Sequence, residues 1–110
     1  MVKIAYGLEN NPDAKIVRQA VFVEEQGFQN EFDATDAAAW HVVLYEDGVP
    51  VATGRTFPKG DGGTYLIGRV AVQKAYRGKG LGEKVMLELE KKLRELGVEK
   101  AELSAQVQAQ

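Results

Sequence analysis

Three glycines at alternate positions, in Arg77-Gly78-Lys79-Gly80-Leu81-Gly82, are the residues of this chain best suited to do chemistry. Without side chains in the way, their backbone N–H groups can turn toward a single ligand. The apolar periodicity that follows predicts a helix over 82–96. A helix N-terminus presents unpaired N–H groups and roughly half a positive charge. Together these make an anion site of phosphate or pyrophosphate size, with Arg77 and Lys79 either adding charge or reaching into solvent. A tight turn that binds nothing uses the same residues. Two familiar phosphate motifs fit poorly. A P-loop needs Ser or Thr after its lysine, where this chain has Gly80, and the dinucleotide fingerprint needs a glycine where this chain has Glu83.

Charge is unevenly spread along a chain whose net value is only −2. From Val23 to Trp40 there are five acids (Glu24, Glu25, Glu31, Asp33, Asp36) and no base; from Thr64 to Gly82 there are four bases (Arg69, Lys74, Arg77, Lys79) and no acid. Two solvated surfaces of opposite sign account for this pattern. So does an anionic ligand at the basic segment with a cationic one near the acidic segment. Zero cysteines exclude disulfides, thiolate metal sites and a cysteine acyl-enzyme, and the single histidine, His41, argues against a multi-histidine metal centre. No metal is therefore expected. Nucleic-acid binding is disfavoured, because the chain lacks a basic, aromatic-rich face. No apolar run reaches the roughly 18 residues of a membrane span, so a cytoplasmic protein without membrane contact is expected.

At 110 residues, 45% apolar and 27% charged, the chain reads as one globular domain, 1–110. Val2, Ile4 and Tyr6 alternate as in a short strand. Asn11, as N-cap, with Pro12 and Asp13 predicts the start of a helix carrying Ile16, Val17, Ala20 and Val21 on one side and ending near Gly27. Residues 28–39 read as a loop with a turn of helix near 35–39. Strands over 40–46 and 49–57 flank Asp47-Gly48, a hairpin signal. Both faces of the first are largely apolar, which predicts a sheet covered on both sides. A strand over 65–73 contains Gly68, a mark of a bulge or a close backbone approach. In the following helix Leu81, Val85, Met86, Leu89, Leu93 and Leu96 form the apolar stripe. Glu88/Lys92 and Glu90/Arg94 have pairing spacing, and Gly97 with Val98 predicts a Schellman stop. A last strand over 99–107 completes a strand–helix–strand unit with parallel strands. The fold class is α/β (mixed α+β): antiparallel N-terminal strands, then a β-α-β parallel unit, with helices on both faces.

Arg77, Gly80 and Gly82 match the pattern R/Q-x-x-G-x-G/A, after a strand reading Arg69-Val70-Ala71-Val72. This resembles the central motif of the GNAT N-acetyltransferases. Arg18-x-x-Val21-Phe22-Val23-x-Glu25-Gln26, the acidic Glu31-Phe32-Asp33-x-x-Asp36, His41 and Leu103-x-Ala105-Gln106 resemble more narrowly the small bacterial branch that contains ElaA and YjcF. The likeness runs over almost the whole chain.

The resemblance implies an acyltransferase that moves an acetyl group from acetyl-CoA, as co-substrate, to a primary amine on a small molecule or peptide. Attack would be direct, in a ternary complex. By that likeness, the backbone of Val70, Ala71 and Val72 meets the pantetheine arm and the thioester carbonyl. The N–H groups of Arg77, Gly78, Lys79, Gly80, Leu81 and Gly82 hold the pyrophosphate, and Gln106 contacts pantetheine or acceptor. An alkyl amine of pKa about 10.4 is neutral only roughly once in 2,500 molecules at pH 7, so a proton acceptor is worth about 4.6 kcal/mol. Glu25 is the first candidate, followed by Asp36 and Asp33, and His41 is either a further candidate or a packed core residue. Tyr76 is read as packing. GNAT domains normally continue with another helix and further strands, so the chain is expected to be truncated. Its last strand is then an exposed edge open to self-association. The alternative function is a CoA-holding domain, or scaffold, without chemistry.

Overall fold

The computed structural model describes residues 1–27, 34–60 and 63–103. A five-stranded sheet runs in sequence order, β1 (Val2–Tyr6), β2 (Trp40–Glu46), β3 (Val49–Pro58), β4 (Thr64–Val72) and β5 (Lys100–Leu103). The first four strands pair antiparallel, and β4 and β5 pair parallel. The β2–β3 turn has positive φ at Asp47 (51°) and Gly48 (80°), the primed turn whose twist suits a two-residue hairpin. Helix α1 (Asp13–Arg18) continues as a π-helical segment, Gln19–Glu25, and covers one face; α2 (Leu81–Glu95) covers the other.

Register decides which side chains meet which helix. On the α2 side Val42, Leu44, Val51, Ile67, Val70 and Val72 pack with Val85, Leu89 and Leu93; on the α1 side Ala71 packs with Val17, Val21 and Phe22. Helix α2 comes so close to β3 that a Cβ on Gly54 would stand 2.6 Å from Val85 Cγ1 and 3.1 Å from Leu89 Cδ1. Its end is a Schellman turn, as its sequence predicts. Val98 N–H donates to Leu93 O (2.9 Å), Gly97 N–H donates to Arg94 O (3.1 Å), and Gly97 has φ 78°.

The bulge falls one residue beyond Gly68. Thr53 faces Ala71 and Arg55 faces Gly68, so two steps on β3 oppose three on β4, and Arg69 takes φ 51°. A strict period of two would put Ile67 and Val70 on opposite faces. The extra residue brings both into the α2-side core. The described β4–β5 pairs run from Thr64↔Lys100 to Ile67↔Leu103.

Three local expectations fail for tertiary reasons. Asn11 does not cap α1: its amide donates to Lys3 O (3.1 Å) and His41 O (2.9 Å), tying the helix entry to β1 and β2. The buried face of α1 is Ala14, Val17, Arg18, Val21 and Phe22, and Ile16 points outward at 51% exposure. Lys92 lies over the Trp40 ring at 4.2 Å and within 3.5 Å of Glu95, rather than with Glu88. No described helix is long and apolar enough to cross a membrane.

Candidate functional site

The glycine turn leaves β4 through Gln73, whose side-chain amide donates to Pro50 O at 2.8 Å. A short 3-10 turn, Lys74–Tyr76, follows, and Tyr76 packs on the α2-side core, as expected of a packing residue. Gly78 (φ 83°) and Gly80 (φ 76°) both take conformations that L-residues rarely adopt. A Cβ at either position would meet no protein atom within 4 Å. Glycine is therefore demanded here by backbone geometry, and the surface above the turn is left clear for a ligand.

Gly80 is the N-cap of α2, and no side chain caps that helix. The N–H groups at the start of an α-helix have no intrahelical acceptor. At Leu81, Gly82 and Glu83 they join the exposed turn 78–80 in a cluster of backbone donors at the positive end of a helix of 15 residues. That is the chemistry of an anion cradle.

The basic side chains beside the turn are already engaged. Lys79 Nζ stands 3.3 Å from Glu46 Oε1, an exposed pair, and 5.3 Å from the centroid of the Tyr76 ring. Arg77 folds back over the end of β4. Its Nε donates to Val72 O (2.9 Å), Nη1 to Glu25 Oε2 (2.8 Å) and Nη2 to Glu25 Oε1 (2.6 Å). Arg77 thus neither reaches into solvent nor projects its guanidinium freely at the turn. Its hydrogen bonds to Glu25 raise its own pKa and hold the Glu25 carboxyl below its ordinary value.

Glu25 is the first candidate for proton acceptor on sequence, and this pairing argues against the role. A useful general base has a pKa near the working pH, whereas Arg77 makes this carboxylate a weaker base.

Asp36 lies elsewhere, beneath α1. Its Oδ1 accepts from Arg18 Nη1 (2.7 Å) and Arg55 Nη1 (2.6 Å), and its Oδ2 accepts from Arg18 Nη2 (3.2 Å). At 3% exposure, shared by two buried guanidiniums, Asp36 is part of a buried ion cluster, and that pairing argues against the catalytic role expected of it. His41 is fully buried on the same side, and its Nε2 stands 2.9 Å from Asp36 O. Burial is the largest influence on its pKa and lowers it; the nearby Arg18 lowers it further against the raising effect of the Asp36 carbonyl. A neutral imidazole that donates through Nε2 leaves Nδ1 as acceptor, and Nδ1 has no hydrogen-bond partner among the described residues. His41 is a packed core residue.

The candidates therefore fall into two groups: Glu25 with Arg77 at the glycine turn, and Asp36 with His41 under α1. Asp33, Glu31 and Gln106 lie outside the described residues. Of the five acids that suggested a cationic acceptor, Glu25 and Asp36 are paired with arginines.

The fold recurs in known proteins. The sequence profile of the acetyltransferase (GNAT) family matches residues 9–110. The chain belongs to the GNAT family. It is 36% identical over 108 residues to the N-acetyltransferase YjcF of Bacillus subtilis, a protein described as uncharacterized; the match covers 96% of this chain and 76% of that protein. A second Bacillus subtilis protein, whose name assigns it to the acetyltransferases without an established activity, is 37% identical over 98 residues; here 84% of this chain is covered but only 65% of the relative. Among solved structures, an acyl-CoA N-acyltransferase from Pseudomonas aeruginosa superposes with a TM-score of 0.82 at 28% identity, covering 96% of this chain and 78% of that one. A GNAT acetyltransferase from Brucella melitensis, solved with acetyl-CoA, shares the fold at TM-score 0.71 and 24% identity, over 94% and 75% of the two chains.

Proposed function

We propose that this GNAT domain binds acetyl-CoA and transfers its acetyl group to a primary amine. The observation that carries the reading is the uncapped, glycine-lined N-terminus of α2, opened by φ above 70° at Gly78 and Gly80 and cleared of side chains. The backbone donors of Arg77 to Gly82 hold the pyrophosphate. Next to the bulge at Arg69, Val70, Ala71 and Val72 offer backbone to the pantetheine arm. A backbone N–H at Val70 or Ala71 polarises the thioester carbonyl. The neutral amine attacks that carbon to form the C–N bond, and the C–S bond breaks. The nitrogen gives up a proton, and one proton is returned to the departing thiolate to leave CoA as the thiol. Holding the two substrates together supplies about 7–11 kcal/mol. With no cysteine in the chain, direct attack needs no cysteine acyl-enzyme.

A second reading, a domain that holds CoA without transferring acetyl, draws on a different observation. The two described carboxylates nominated as proton acceptors, Glu25 and Asp36, are both bound to arginine. Calorimetric titration with CoA, followed by thiol release from acetyl-CoA with a panel of amines, separates the two. Gly80→Ala imposes roughly 1–2 kcal/mol of left-handed strain on the turn and should weaken CoA binding by about tenfold or more. Binding equal to that of the parent chain would refute the assignment of the turn.

A further inference from the structure

We infer that Glu25 is a positioning residue for the donor-binding turn: by gripping Arg77 it fixes the backbone of 77–82 and ties that turn to the end of the N-terminal helix. The inference rests on the reading of 77–82 as the CoA-pyrophosphate turn.

Three observations support it. The first is the use of the guanidinium. Three of its five N–H groups are spent on Val72 O and the two Glu25 oxygens, so Arg77 is joined at once to the end of β4 and to the π-helical segment. The pair is close to neutral, so Arg77 offers little net charge to a bound anion. The second is the location of the carboxylate. Glu24 and Glu25 end a helical segment with no base in its last turn, the end where helix polarity disfavours negative charge. A cation from elsewhere must compensate, and Arg77 does so from 52 positions away. The third is the turn itself. Gly78 and Gly80 give it freedom, and each residue fixed on binding costs roughly 1–2 kcal/mol of chain entropy. A turn already held in place binds more tightly because that ordering is done beforehand.

A phosphate ligand and a brace predict different mutant patterns. The test uses the full 110-residue chain as Glu25→Gln, Arg77→Gln and the double variant. Calorimetry with CoA should show each single change weakening binding about tenfold, the usual scale for losing a charge-assisted bidentate pair. The double variant should bind no worse than either single one. In turnover, Glu25→Gln should raise KM for acetyl-CoA and leave kcat and its pH profile in place.

Normal or tighter CoA binding by Glu25→Gln alongside a weak Arg77→Gln would make Arg77 a direct phosphate ligand and overturn the inference. A flattened pH profile at unchanged KM would overturn it in favour of a base. Hydrogen exchange of amides 77–82 without ligand supplies the independent arm. Faster exchange in Glu25→Gln supports the brace even if the parent chain fails to bind CoA, a failure that would sink only the proposed function. Unchanged exchange sinks the brace.

Discussion

The substitution Asp36→Asn tests the buried ion cluster directly. It keeps the side-chain shape and removes the charge shared by Arg18 and Arg55. In the parent chain Arg18 meets both carboxylate oxygens, at 2.7 and 3.2 Å, and Arg55 meets one at 2.6 Å. All three side chains are at most 5% exposed, so water does little to replace the lost anion. The new amide nitrogen, standing where Oδ2 was, would also set a donor against the Arg18 donor. Removing one partner of a buried pair costs about 3–5 kcal/mol, a large share of the roughly 5–15 kcal/mol that holds a domain together. At about 4–8 °C per kcal/mol, melting should fall by about 12 °C or more. Urea unfolding followed by circular dichroism should show a lower midpoint with an unchanged slope. A melting point within about 2 °C of the parent, combined with lost acetyl transfer, would refute this reasoning and return Asp36 to the list of proton acceptors.

Two further outcomes follow from the core. Gly54→Ala should cost about 1–3 kcal/mol by urea unfolding, since the new methyl meets Val85 and Leu89 at overpacked distances; unchanged stability would mean that α2 does not rest on β3 as described. His41 has a lowered pKa in the fold, so its contribution to stability is fully present above its ordinary value of 6.5 and is lost as pH falls below it. Below pH 6.5 stability should therefore drop by up to about 1.4 kcal/mol per pH unit from this group, and His41→Gln should shallow that slope.

What the sequence discloses is short-range. Asp47-Gly48 specifies its turn through two positive φ angles, and Gly97-Val98 specifies a helix stop. The glycine turn is recognisable because its donors come from adjacent residues. Contacts between distant residues are hidden. Asp36 meets Arg18 and Arg55 from 18 and 19 positions away, and the isolated sequence shows only an acid and two bases. Glu25 and Arg77 belong to two separate stretches of family resemblance, and nothing in their spacing joins them. Asn11 illustrates a competition: its side chain could cap a helix, and two strand carbonyls hold it instead. Gly54 carries the same signal as Gly68, a glycine inside a strand, but the helix that presses on it is 31 or more positions away and leaves no local trace.

The bulge at Arg69 also sets a rule for how this strand can change over time. Ile67, Val70 and Val72 share the α2-side core and Ala71 belongs to the other, so the strand carries a fixed phase. Deleting the extra residue would leave a regular strand in which Ile67 and Val70 still share the α2 side, whereas flattening the bulge at fixed length would send the valines toward α1 and the alanine toward α2. A substitution that forces regular pairing there is therefore more disruptive than losing the bulged residue altogether. Lineages of this domain should couple the spacing of those two core positions to the bulge, odd where it is kept and even where it is lost.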